Sequence, residues 1–282
     1  MSDQFKERVR SFYDDSAELW VAIWGEHMHH GFYPPGEGKI KRQDAQSNLV
    51  NALIEKGSVE SAKRVLDVGC GVGGSARVLA QRYGSDVLGL TLSPAQKRLA
   101  DQLNDEVGLN DTVEVQVRDV LSLGTEDGIF DLIWCVECLE HIKRKAEVFQ
   151  LLSSIQEPGG RLLMTTWCLT QSDDELDIPQ QRLLQKVYRS FNWSPLDTFS
   201  GLEQGLADAG YTNIEFDDWS PSVAPFWTAV RRSALDVRNA RYLHKLKWSV
   251  VKGAFDLRFL QKAYDASLIK YVAISCSQSN LD

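Results

Sequence analysis

An apolar run that ends in clustered glycines, Val65-Leu66-Asp67-Val68-Gly69-Cys70-Gly71-Val72-Gly73-Gly74, constrains the fold more than any other stretch of the chain. Glycines there let the backbone turn sharply and approach a ligand where a Cβ would intrude. Ser75–Tyr83 reads as a helix. The unit is therefore strand, turn, helix, the opening of a doubly wound α/β sheet that binds a ligand at its first strand tip. Gly69, Gly71 and Gly74 also satisfy the G-x-G-x-x-G spacing of a dinucleotide fold, so the turn alone leaves a hydride-transfer enzyme open.

Six further β-branched runs follow the same rhythm: Asp86–Thr91, Val113–Arg118, Phe130–Cys135, Arg161–Trp167, Thr212–Phe216 and Tyr271–Cys276. With Arg64–Val68 they predict a seven-stranded, mostly parallel sheet. Pro94–Val107, Lys145–Ile155 and Thr198–Ala209 read as crossover helices, Ser93-Pro94 being a strong start signal. Glu157-Pro158-Gly159-Gly160 reads as a turn. Two segments exceed the minimal sheet. Residues 1–60 predict a helical cap, with a helix at Phe5–Tyr13, an aromatic and histidine-rich loop at Trp20–Tyr33 and a helix near Gln43–Lys56. Residues 220–265 separate the last two strands by far more than a hairpin needs and predict a helical insertion acting as a lid. The α/β core then spans 61–219, and 266–282 return the last strand and a tail.

The 282 residues, 43% of them hydrophobic, suffice for one elaborated domain. The apolar stretches are too short to span a bilayer and the N-terminus is charged, which predicts a cytoplasmic protein. Five cysteines without regular spacing predict reduced thiols. The net charge of −8 argues against a nucleic-acid partner. Residues 231–270 run the other way, with ten Lys or Arg against three Asp, and their basic face suggests peripheral contact with an anionic membrane.

Three features weigh against the dinucleotide reading. Asp67 precedes the glycines, where a carboxylate suits a cationic amino-acid ligand and would repel a pyrophosphate. The second strand ends in Gly89-Leu90-Thr91-Leu92-Ser93, without the acid that binds an NAD ribose. Asp119 follows the third strand, at a height where a carboxylate can read an adenine amino group. Turn capping is the alternative role for Asp67.

The run Asp67–Gly73 resembles the first motif of class I S-adenosylmethionine-dependent methyltransferases. Gly89–Ser93 with Gln96 resembles the variant second-strand motif of the branch containing cyclopropane synthases and tocopherol methyltransferases. Phe12–Ser16, the string Trp24-Gly-Glu-His-Met-His-His-Gly-Phe-Tyr33, Thr166-Trp167-Cys168, Asp218-Trp219-Ser220 and Val223-Ala-Pro-Phe-Trp227 are similar to the γ-tocopherol methyltransferase family over nearly the whole chain. Plant members carry a plastid transit peptide, whereas this chain opens at the mature-like helix, which suits a bacterial or cytoplasmic relative.

The resemblance implies S-adenosylmethionine as cofactor, held by Tyr13, Asp67, Gly69, Gly71, Gly73, Thr91, Leu92, Gln96, Asp119, Val120, Val136 and His141. It implies a hydrophobic aromatic acceptor bound by His29, His30, Glu137, Trp167, Phe226 and Trp227, most simply a tocopherol-like phenol, with an indole or other alkaloid amine as alternative. His29, His30, Phe32 and Tyr33 would wall the cofactor's methionine part, with Tyr13 folding in. One departure falls beside this site: the family's W-S-x-E-S-x-E-H reads Trp134-Cys135-Val136-Glu137-Cys138-Leu139-Glu140-His141 here.

Methyl transfer requires alignment and, for a phenol, proton removal. His141 is the candidate base, titrating near neutrality at the carboxyl edge of the sheet, and Glu140 is second; a helix-capping role for His141 is the alternative. His27, His29 and His30 lack carboxylate or thiol partners at ligand spacing, and Cys135-x-x-Cys138 has no second pair, so no metal is expected. The competing reading from another class is a non-catalytic S-adenosylmethionine-binding module.

Overall fold

The computed structural model describes residues 2–36, 40–234 and 248–279, without the side chains of 2–3, 231–234 and 248–255. Seven strands form one sheet in the order β3-β2-β1-β4-β5-β7-β6: β1 (Arg64–Val68), β2 (Asp86–Thr91), β3 (Val113–Val117), β4 (Phe130–Val136), β5 (Gln156–Leu169), β6 (Tyr211–Asp218) and β7 (Ile269–Gln278). β1 to β5 pair in parallel, and β7 lies antiparallel between β5 and β6.

The helices are α1 (Ser2–Trp24), α2 (Arg42–Lys56), α3 (Gly74–Tyr83), α4 (Pro94–Glu106), α5 (Lys145–Ser154), α6 (Ile178–Phe191), α7 (Phe199–Asp208), α8 (Ser220–Val223), α9 (Pro225–Ala234) and α10 (Trp248–Asp265). Alternation along β4 shows how the sheet divides its core. Leu132 and Trp134 face the layer shared by Trp24, Leu49, Trp167 and Trp227, while Ile133 and Cys135 face the layer of Leu66, Phe149 and Leu206. Trp134 is fully buried at the centre of the first layer. Truncating such a ring to alanine costs about 3–5 kcal/mol.

Three expectations are corrected. The first helix runs on to Trp24, so Trp20–Trp24 are helical and the histidine-rich loop begins at Gly25. Glu157–Gly160 is not a turn ahead of the strand but lies within β5: Phe130 pairs with Gln156 and Leu132 with Arg161, so four residues of β5 bulge opposite one of β4. α6 has no counterpart in the sequence reading, although Asp177 and Gln180 close a capping box around Pro179. Tyr242 and the side chains of Trp248 and Phe255 lie outside the described residues, as do most of the basic side chains between Arg231 and Lys270. Among the described residues, no helix is long and apolar enough to cross a membrane.

Candidate active site

The strand tips of β1, β2 and β4 and the underside of α1 enclose a cavity of about 400 Å³. Its floor is the glycine turn. Gly69, Gly71 and Gly73 adopt φ of +78°, +57° and +78°, a region that only glycine enters freely. At Gly69 an added Cβ would lie 2.5 Å from Cys138 Sγ, and at Gly74 one would lie 2.5 Å from the Glu26 carbonyl. Strand and N-terminal cover thus approach each other closely across the turn. The Glu26 carboxylate fixes this contact by pairing with buried Arg77, which also donates to the Val72 carbonyl.

Asp67 ends in this cavity almost wholly buried, with Oδ2 unpartnered. Burial pushes its carboxyl up to about 7. A buried carboxylate left without a donor is costly, so the site is built for a cation or donor that the protein itself does not supply. Gln96, also buried, accepts from Thr91 Oγ1 at 2.6 Å and points Nε2 toward Met28 Sδ at 3.3 Å. Thr91, Leu92, Gln96, Asp119, Val120 and Val136 all line the cavity. Asp119 accepts from the Leu121 amide and pairs with Lys6 from α1. Gly73 does not line the cavity; it is the left-handed residue that starts α3.

His141 follows β4 in a short 3-10 turn. Its Nδ1 lies 3.1 Å from the Asn192 carbonyl and its Nε2 lies 2.9 Å from the Tyr13 hydroxyl. A carbonyl can only accept, so Nδ1 carries the proton and Nε2 presents its lone pair to Tyr13. Burial lowers the His141 pKa to about 4, which keeps the ring neutral at physiological pH, and burial raises that of Tyr13 well above the phenol range. The same logic runs through the loop. His29 Nδ1 donates to the His30 carbonyl, His27 Nδ1 donates to His29 Nε2 at 3.2 Å, and burial drops His27 to about 3.

Glu137 adopts a left-handed φ of +51° and knots three elements together. Its carboxylate accepts from the His30 amide, from His30 Nδ1 and from the Tyr271 hydroxyl at 2.7–2.8 Å. Burial opposes ionisation, yet the contacts from His30 outweigh it and hold the carboxyl below its usual range. His30 in turn sits in a ring of aromatics, 4.1 Å from Phe226 and 5.4 Å from both Trp167 and Trp227, centroid to centroid.

The structure brings part of the expected acceptor set to the cavity and not the rest. His29 and Glu137 line it, whereas His30, Trp167, Phe226 and Trp227 are packed behind them. Phe32 meets Trp219 edge-on and the Tyr33 amide donates to the Ser222 carbonyl, and neither side chain lines the cavity. Glu140 is also displaced from its expected role. It is fully buried away from the cavity, where Oε1 accepts from the Trp167 amide, and burial beside Glu137 raises it to about 7. Phe5, Lys6, Val9, Met28, Cys138 and Lys143 line the cavity without having been singled out for it. The 3.6-residue spacing of Phe5, Val9 and Tyr13 was the available signal for α1.

The architecture is the class I methyltransferase fold, and the relatives of this chain are S-adenosylmethionine-dependent methyltransferases. The family model for mycolic acid cyclopropane synthetase matches residues 2–220. A rice protein (Oryza sativa subsp. japonica) named "Probable tocopherol O-methyltransferase, chloroplastic" is 35% identical over 96% of this chain and 78% of its own length. The norajmaline N-methyltransferase of Rauvolfia serpentina is 28% identical over 97% of this chain and 98% of its own. The structure of a cyclopropane synthase from Mycobacterium tuberculosis superposes with a TM-score of 0.83 at 18% identity, covering 97% and 98% of the two chains. The chain belongs to the mycolic acid cyclopropane synthetase family of S-adenosylmethionine-dependent methyltransferases, on the tocopherol methyltransferase side of that family. The cytoplasmic expectation is corrected by the same comparison, since the rice relative is chloroplastic.

S-adenosylmethionine fits the residues present. Asp67 Oδ2, buried without a donor, would suit a cationic amino-acid end, and Gly71 adds no side chain to the cavity lining beside it.

Proposed function

We propose that this methyltransferase acts on the hydroxyl of a hydrophobic, tocopherol-like phenol, with His141 as general base. The observation that carries the reading is the pair Tyr13–His141: a phenolic hydroxyl already lies 2.9 Å from Nε2, on a ring whose other nitrogen is fixed. The rice tocopherol O-methyltransferase relative supports the acceptor class.

When bound, the cofactor supplies an electrophilic methyl group. Asp67 would hold its amino-acid end, Gln96 its ribose and Asp119 its adenine, with Val120 and Val136 against the rings and Thr91 and Leu92 closing the strand edge. The neutral His141 accepts the acceptor's proton at Nε2, and Asn192 stabilises the imidazolium that results. Tyr13 sits where the incoming hydroxyl must arrive, so it either yields its place or passes the proton on to Nε2. The apolar walls exclude water from the reacting oxygen. His29 and Glu137 border the acceptor side, and the aromatic layer of His30, Trp167, Phe226 and Trp227 backs it.

Parallel assays with γ-tocopherol and a panel of indole amines, with product identified by mass, test the acceptor. Methylated tocopherol supports the reading. Turnover of the amines alone would overturn it and leave the methyltransferase assignment intact.

A further inference from the structure

Two of the five cysteines, Cys70 and Cys138, line the cavity, and a third, Cys135, is buried. Cys70 belongs to the glycine turn, Cys135 is the penultimate residue of β4 and Cys138 follows three residues later. Strand alternation puts Cys135 on the sheet face of Leu66, Val68 and Leu90. The left-handed Glu137 then folds the chain back, so that Cys138 packs against that same layer. Three residues apart across this fold-back, both side chains pack on the same layer. They differ in access: Cys135 is 2% exposed, while Cys138 is partly exposed and lines the cavity. Cys138 Sγ also occupies the space into which a Cβ at Gly69, in the cavity lining, would project. Neither thiol takes part in the Tyr13–His141–Asn192 chain.

We propose that Cys135 and Cys138 form a covalent modification site: a dithiol that peroxide converts to an intrachain disulfide, which reshapes the cofactor cavity at Gly69. The Cys138 thiolate attacks a peroxide oxygen, the O–O bond breaks and the leaving oxygen departs as water after protonation. The Cys135 sulfur then attacks the resulting sulfenic acid, forming S–S and releasing a second water. Two thiols and one hydrogen peroxide thus give one disulfide and two waters. Cys138 is the sulfur oxidised first because it faces the cavity, and Cys135, almost wholly buried, is the resolving thiol. Joining them pulls Cys138 Sγ from its seat against Gly69 toward β4. A ligand resting on Gly69 covers Cys138, so S-adenosylmethionine protects the pair.

The test uses the full chain, reduced and then treated with stoichiometric hydrogen peroxide, with and without S-adenosylmethionine. Expected are a mass loss of two hydrogens, a mapped peptide joining Cys135 to Cys138, cofactor affinity lower by about tenfold, and slower oxidation when cofactor is present. Cys135→Ser should keep the reduced protein's affinity and show neither the crosslink nor the mass loss. A crosslink joining Cys70 to Cys138, an oxidised protein with unchanged affinity, or an equal loss of affinity in peroxide-treated Cys135→Ser would each overturn the proposal. Peptide mapping of the unmutated chain decides the matter even if the variant folds poorly.

Discussion

The Asn192 carbonyl, at the left-handed end of α6, holds Nδ1 of His141 at 3.1 Å across 51 residues of sequence. Its backbone φ of +52° aims that carbonyl. Asparagine and glycine tolerate this conformation, and a β-branched residue does not. Asn192→Val should therefore cost about 1–2 kcal/mol of stability and lower kcat for a phenol, while Asn192→Gly restores kcat. Equal kcat for both variants in a folded protein would remove Asn192 from the positioning of His141.

For Asp67 the pH dependence has a definite sign. Its folded pKa is raised from 3.8 to about 7, so between these values the folded protein without cofactor binds more protons than the unfolded chain. That carboxyl's contribution to stability is full below pH 3.8 and declines as pH rises to about 7. A cationic ligand favours the ionised form, so cofactor binding should release a proton below pH 7 and tighten as pH rises toward it. Calorimetry in buffers of differing ionisation enthalpy measures the proton. Asp67→Ala should abolish its release and weaken binding by roughly 10–100-fold, the worth of a charge-assisted hydrogen bond.

Asp119 is held by Lys6, a partly exposed pair that contributes little to stability. Asp119→Ala should leave the melting temperature close to that of the parent and weaken cofactor binding by about tenfold, one hydrogen bond to a charged group. If titration returned the parent's affinity, the adenine-reading role would be lost.

His141→Ala should slow the chemical step for a phenol by roughly 10²–10⁴-fold and leave cofactor affinity nearly unchanged. Because burial lowers its pKa to about 4, the base form persists across neutral pH, and the acid limb attributable to this group should lie near pH 4. An amine acceptor brings its own lone pair, so the same substitution should slow it far less. Single-turnover rates on both acceptor types separate these outcomes.

The sheet and the cavity floor were legible in the sequence because both are local. Short β-branched runs mark the strands, and glycines before a helix mark the turn, so all seven strands and the lining positions Asp67 and Asp119 could be read from neighbouring residues, whereas Gln96 came from the family resemblance. The role of His30, Trp167, Phe226 and Trp227 could not. Whether an aromatic faces a cavity or backs it depends on how residues 196 positions apart pack, as His30 and Phe226 do, and no short-range pattern encodes that. Glu140 shows the same limit: it stands beside His141 in sequence, yet the 3-10 turn points it inward to the Trp167 amide. The length of α1 was missed for another reason. Its apolar face continues into the aromatic stretch before Gly25, where loop and helix have similar composition.

The insertion of β7 between β5 and β6 also orders the assembly of the molecule. As the chain leaves the ribosome, β1 to β5 can pair once Leu169 has emerged, but the free edge of β5 stays open and β6 has no neighbour until Ile269–Gln278 arrives. Tyr271, which anchors Glu137 and through it His30, comes on that same strand. The N-terminal cover is thus translated first and secured last, and a nascent chain halted before β7 carries an exposed sheet edge, the kind that recruits chaperones or aggregates.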